Sequence, residues 1–362
     1  MAISRSLSGL ANAAASDLGI SRPGGFTIME LGPMVLASPN LMNAYVTALV
    51  NRINKTIIHS KVYNNALAKF KNGAMPYGSV SQHIFNNPMA PTNYDMNATN
   101  VFDVAMPDVK VVYFSQNSQK QFTVTVYRKE LQKAFMSEEG FQSMVDNIIN
   151  QLYSSLNIYE FERTKNIICK SFNAEIPIGI INEFGSISKT NASEFVASCR
   201  ALSLNMTFPS TDFNNWAAYA TKWNETHAET LNAEPVVTWS DVENQCLLIR
   251  ADVLADVDVN VLAAAFNMDK ASFMGNITPV NNFNETSADK YRINAVLCDR
   301  SFIQIDQQGD ELSGIENPKA LCFNNFLTSF QTYGTLPFAN AVAFVENNPN
   351  YVSSLNDDDY AA

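Results

Sequence analysis

The sequence predicts an α+β fold, and three segments carry that prediction. Residues 138–172 hold a long apolar stripe at helical spacing, 109–127 hold two runs of alternating apolar residues, and 180–345 mix short helical and strand-like stretches. With 362 residues and 46% hydrophobic content the chain can bury a large core. It exceeds the commonest single-domain size, so two lobes or two interleaved domains are expected.

Residues 1–40 are rich in Ser, Ala, Gly and Pro, with Arg22-Pro23-Gly24-Gly25 in the middle. No periodicity is sustained there, which predicts an extended arm. The scattered Leu7, Leu10, Ile20, Phe26, Ile28 and Met29 predict that the arm docks on something. A helix opens at Ser38-Pro39-Asn40, with Leu41, Tyr45, Ala48, Leu49 and Ile53 on one face. Over 63–108, Gly73, Gly78, Pro76, Pro88, Pro91 and Pro107 forbid long regular elements. A connection of that length is a functional loop or an extension that packs on a neighbour.

Val109, Val111 and Tyr113 alternate, as do Phe122, Val124 and Val126, and the stretch 116–120 with Asn117 and Ser118 supplies turn residues. This predicts a hairpin over 109–127, which needs a cover because two strands alone are marginal in water. The long helix follows. Ser137 can cap it, and Glu138 and Glu139 suit its positive end. Phe141, Met144, Val145, Ile148, Ile149, Leu152, Leu156 and Tyr159 form one stripe, continued by Phe161, Ile167 and Ile168 and ended before Pro177. One helix would span about 50 Å; the other reading is two helices broken near Ser154-Ser155 or Asn157.

In the second half, 193–206 reads as a helix capped by Ser193, with Phe195, Val196, Cys199, Leu202 and Met206 on one face. Trp216, Tyr219 and Trp223 mark a helix over 212–224. A strand falls within 246–259, a short helix over Val259–Phe266, and strands over Asn294–Asp306 and Ala339–Val345. The tail Asn356-Asp357-Asp358-Asp359 is expected to fray.

Signatures of catalysis are missing. His59, His83 and His227 stand apart, with no HExxH, GxSxG or complete P-loop, so no metal, cofactor or enzymatic activity is expected. Asp256-Val257-Asp258-Val259-Asn260 begins like a calcium loop, but Val261 replaces the required Gly and Asn267 the final Glu. Trp216, Trp223 and Trp239 read as core or interface anchors. The five cysteines (Cys169, Cys199, Cys246, Cys298, Cys322) are odd in number and lack any CxxC, which predicts buried free thiols in a reducing compartment. No stretch reaches the roughly 20 apolar residues of a membrane span. A formal charge of −11 disfavours sequence-specific DNA binding, yet an acidic wall suits DNA that must not stick to it. Charged residues are only 16% of the chain, beside 23 Phe and 13 Tyr. Either partners cover much of the surface, or a large core sits under an uncharged polar one.

Three stretches carry a family resemblance: 45–108 (including NGAMPYG and AMPDVK), 122–161, and YGTLPFANAVAFV at 333–345. They resemble the major capsid proteins of tailed phages, the fold shared with herpesvirus shells and encapsulins, and look closest to small short-tailed phages. The resemblance implies an arm at 1–40 and an N-terminal helix and extended-loop region at 41–128. A peripheral domain follows at 129–180 around a spine helix over 138–172, then an axial domain at 181–330. A strand at 331–350 would return to the peripheral domain ahead of an acidic tail at 351–362. It implies a subunit that self-assembles through pentamers and hexamers into an icosahedral or elongated shell in the host cytoplasm. Portal and scaffolding proteins and packaged double-stranded DNA would be partners, and a membrane would not. The hairpin would lie on a neighbouring subunit's long helix. Some relatives cross-link a loop Lys to a neighbour's Asn, and Lys110 and Lys120 are available here. Alternatives are a decoration or tail-tube subunit, a cargo cage, and an unrecognised hydrolase.

Overall fold

The computed structural model describes residues 7–37, 63–91, 106–129, 138–227, 230–257 and 276–352, together with Leu41, Met42, Ala44, Tyr45, Ala48, Asn93 and Val104. His59, the helix expected at 259–266, most of the helix expected at 38–53, the calcium-like loop past Val257 and the acidic tail lie outside the described residues.

The chain order begins with α1 (Leu7–Asp17) and α2 (Ile28–Val35), then β1 (Lys71–Ala74), β2 (Ser81–Asn86), β3 (Val109–Phe114) and β4 (Ser118–Tyr127). The long helix α3 (Glu138–Asn173) follows, then β5 (Ile180–Asn182), α4 (Ala192–Asn205), α5 (Trp216–Thr226), β6 (Gln245–Arg250) and α6 (Ala251–Asp256). The last elements are β7 (Ile277–Val280), β8 (Tyr291–Asp299), β9 (Ile303–Asn317), β10 (Cys322–Thr335) and β11 (Ala341–Asn347). They build a four-stranded sheet in the order β1-β9-β10-β4, a five-stranded sheet β5-β11-β8-β6-β7, and a two-stranded ribbon β2-β3.

Helix α3 runs unbroken for 36 residues, or about 54 Å. After Gly140 no Gly or Pro interrupts it. At its end Asn173 Nδ2 donates to the carbonyls of Cys169 and Tyr291, and Tyr291 N–H donates back to Asn173 Oδ1 at 2.7 Å. That satisfies a helix-end carbonyl and ties the helix to β8.

The helix joins two cores. Toward its N-terminal half, Ile148, Leu152 and Leu156 pack with Val124, Val126, Phe323 and Leu327 and with α1 and α2. Toward its C-terminal half, Phe161, Ile168, Cys169 and Phe172 pack with one face of the five-stranded sheet. The other face of that sheet buries Leu247, Ile249, Ala295, Leu297, Val342 and Phe344 against α4. A sheet covered on both faces demands strands apolar on both faces, and β6, β8 and β11 read that way.

Several expectations are corrected. The N-terminal segment forms two helices docked on this chain's own core. Ala11, Ala14 and Ala15 are fully buried, because small residues at helical spacing allow close approach. Thr27 and Glu30 form a reciprocal capping box that starts α2. Asn12 clamps the intervening turn by donating to Phe26 O at 2.7 Å and accepting from Phe26 N at 2.6 Å.

The segments 109–114 and 118–127 are strands but do not pair with each other. β3 pairs antiparallel with β2, and β4 pairs antiparallel with β10. Asn117 diverts the chain between them: its Nδ2 donates to Tyr333 O at 2.6 Å and its Oδ1 accepts from Tyr333 N at 3.0 Å.

The strand expected over 294–306 is split by a 3-10 turn at Arg300–Phe302, where Asp299 accepts from Ser301 N. This turn carries the chain from one sheet to the other. Consequently β9 and β10 sit beside β4 and the long helix rather than in a lobe ending at 330. The strand at 341–347 joins β8 and β5 in the five-stranded sheet, and its Ala341, Ala343 and Val345 share a core with Ile168 and Phe172 of the long helix. Asn191, not Ser193, stands at the N-cap of α4, and α5 starts at Trp216 rather than 212.

Candidate assembly surfaces

Directly opposed residues of an antiparallel pair share a face. In the ribbon the pairs Gln82/Tyr113, Ile84/Val111 and Asn86/Val109 therefore lie on one face, and Ser81/Phe114, His83/Val112 and Phe85/Lys110 on the other. The second face packs on the body. Phe85 meets Phe338 with ring centroids 5.6 Å apart, and His83 meets Phe114 at 5.4 Å. Phe114 lies so close to Gly334 that a Cβ there would stand 2.4 Å from its ring. Burial holds the His83 imidazole below its ordinary pKa, with the Asp306 carboxylate opposing part of that effect. The first face is open: Tyr113 is 63% and Ile84 57% exposed, Val109 is exposed and Val111 half-buried. Met89 and Met106 beyond it are exposed too, Met106 at 82%. Single exposed apolar side chains are ordinary; a row of them on one ribbon is not.

The alternating face of β4 has another fate. Phe122, Val124 and Val126 point at this chain's own α3, and Phe122 meets Tyr159 at 6.1 Å. Ser118 is buried with its hydroxyl 2.9 Å from the Tyr159 hydroxyl. Phe122, Val124, Val126, Asn117 and Ser118 thus hold the subunit together and are not a free surface. On α3, Ile148, Leu152 and Leu156 are consumed the same way. Phe141, Met144, Val145 and Ile149 lie on the same helix, with side chains outside the described residues. Ile158, on the opposite side of α3 from this stripe, is exposed.

Between its two apolar stretches α3 buries a polar belt of Asn157, Glu160, Thr164 and Lys165. Glu160 Oε1 accepts from Lys71 Nζ at 2.5 Å and from Gln331 Nε2 at 2.6 Å, joining β1, α3 and β10. Lys165 Nζ donates to Asn281 Oδ1 at 2.7 Å and pairs with Glu162. Such a belt fixes how helix and sheets sit on each other, since Glu160 Oε1 and Lys165 Nζ meet these partners in one arrangement. Sequence reasoning missed it because these positions look like the solvent side of a helix.

Lys110 is 1% exposed, paired with Asp108 at 2.8 Å and donating to Asn232 O, so it is not presented for cross-linking; Lys120 is exposed beside the Tyr159 ring. The five cysteines are free and buried. Burial pushes the Cys169 thiol up to about 12 and those of Cys199 and Cys298 well above their ordinary value, so they are poor nucleophiles. Among the described residues, no three His, Cys, Asp or Glu side chains gather to hold a metal ion. No described helix is long and apolar enough to cross a membrane.

The model of the family described as Phi29-like phage major capsid protein matches residues 27–345. The major capsid protein of Bacillus phage B103 is 32% identical over 321 residues, covering 88% of this chain and 67% of the relative. That of Bacillus phage PZA is 30% identical over 332 residues, covering 91% of this chain and 69% of the relative. A chain from the capsid structure of Staphylococcus phage Andhra superposes with a TM-score of 0.62 at 12% identity, covering 82% of this chain and 87% of that one. The sheets, the long helix and the ribbon are therefore those of a phage capsid fold, and the chain belongs to the Phi29-like phage major capsid protein family, the shell-forming subunits of phage heads.

Proposed function

We propose that the outer face of the β2–β3 ribbon is the surface by which one copy grips the next as the head shell closes. The observation that carries it is the row Ile84, Val109, Val111 and Tyr113, extended by Met89 and Met106. It is left open on a ribbon whose other face is packed on the body. The docking target is the outward side of a neighbour's α3 around the exposed Ile158. In this reading the four-stranded sheet with α3 is the peripheral domain and the five-stranded sheet the axial one. Pentamers and hexamers form around the axial lobes, and ribbons multiply the contacts between them. Portal and scaffolding proteins complete the head, and the acidic chain lines packaged double-stranded DNA without binding it. Assembly belongs in the host cytoplasm, where the free thiols stay reduced.

The test is Ile84→Ser with Tyr113→Ser, expressed and imaged by electron microscopy. Both residues are exposed, so the variant should fold with an unchanged circular dichroism spectrum yet yield capsomers or monomers. Normal shells from this variant would sink the proposal.

A further inference from the structure

Among the chain's many asparagines, only Asn72 precedes a glycine. That dipeptide is the most labile context for asparagine, because a small following residue lets the next backbone nitrogen approach the side-chain amide. The fold does not ask for this glycine. Gly73 is not in the left-handed region, and an added Cβ would meet nothing within 4 Å. Asn72 and Gly73 are exposed and sit in a bulge: Lys71 pairs with Ile305 and Ala74 with Gln307, so β1 carries one extra residue.

Asn72 is at the same time the clamp of β1. Its Nδ2 donates to Gln304 Oε1 at 2.5 Å and to Asp306 Oδ1 at 2.8 Å. The buried Asp306 also accepts from Ser81 Oγ at 2.6 Å, at the start of the ribbon. A single amide therefore links the edge strand to the carboxylate that anchors the ribbon's base.

We infer that Asn72 is a self-modification site whose deamidation irreversibly loosens β1 and the ribbon's base. While the clamp is closed the amide is held; short edge strands open locally, and the reaction runs from the open form. Gly73 N attacks Asn72 Cγ, its proton passes by way of water to Nδ2, and Nδ2 departs as ammonia, leaving a cyclic imide. Water then opens the imide at either carbonyl, giving Asp or its isomer with the main chain routed through the side chain. The product puts a carboxylate where a donor faced Asp306, so the clamp cannot re-form. Two carboxylates facing each other with no donor between them repel.

The experiment ages the full-length folded protein in mildly alkaline buffer, beside a denatured sample, and maps peptides by mass. In the folded protein the peptide holding residue 72 should gain about 1 Da and split into both linkage isomers. Gly73→Ala should slow this several-fold. Asn72→Asp should speed hydrogen exchange over 71–81 several-fold and leave the C-terminal half of α3 unchanged. The inference is overturned if the folded protein keeps its amide while the denatured chain converts, if Gly73→Ala converts as fast, or if Asn72→Asp exchanges like the parent. None of these readouts depends on shell assembly.

Discussion

Gly334→Ala tests the joint between ribbon and body. An added Cβ would stand 2.4, 2.7 and 2.9 Å from three atoms of the Phe114 ring. Ordinary contact begins at about 3.4 Å, so the ring must retreat by about 1 Å. It cannot simply rotate away, because it packs edge-on to His83 at 5.4 Å and shares a face with the buried Ser81. Forcing a methyl into a packed joint typically costs about 1–3 kcal/mol. The expected result is a loss in that range by chemical denaturation, with faster hydrogen exchange in β2 and β3. Gly334→Ala combined with Phe114→Ala should be less unstable than the sum of the two single variants, since the second change vacates the space the first needs. Strict additivity, or a Gly334→Ala variant as stable as the parent with an unchanged ribbon, would refute this account of the joint.

Two further outcomes follow from the cores and the imidazole. Leu156→Ala removes a fully buried side chain between α3 and the four-stranded sheet, and should cost about 2–5 kcal/mol in denaturant titration. A loss within experimental error would mean that α3 does not pack as described. His83 has a folded pKa below its unfolded value of 6.5, because burial favours the neutral ring. The unfolded chain therefore binds more protons there, and stability should fall as pH drops through about 6.5 toward the depressed folded value. His83→Gln should remove that part of the pH dependence, and an unchanged profile would refute it.

What could be read from the residues was what is local. The stripe from Ile148 to Leu156 and the alternation Phe122, Val124, Val126 are periodicities of a few residues, and such patterns mark a helix or a strand wherever it ends up. The cysteines likewise read as buried thiols from number and spacing. The N-terminal helices escaped because Ala11, Ala14 and Ala15 bury surface only when a partner comes close, so alone they look like linker.

The sequence by itself determined that a long helix, alternating strands and an apolar β11 exist, and the family resemblance determined what the chain builds. Only the tertiary structure decided the partners. Val124 lies opposite Asn325 rather than a residue of β3, and the expected hairpin became one ribbon and one sheet edge. It also decided which apolar rows were spent inside the subunit and which were left for a neighbour. Val124 and Val111 alternate alike in sequence, yet one is in the core and the other on the open ribbon face. The physical reason is that alternation states only that one face of a strand is apolar. Which surface covers that face depends on segments some two hundred residues away, brought together by the 3-10 turn at 300–302, the Asn117 clamp and the polar belt on α3.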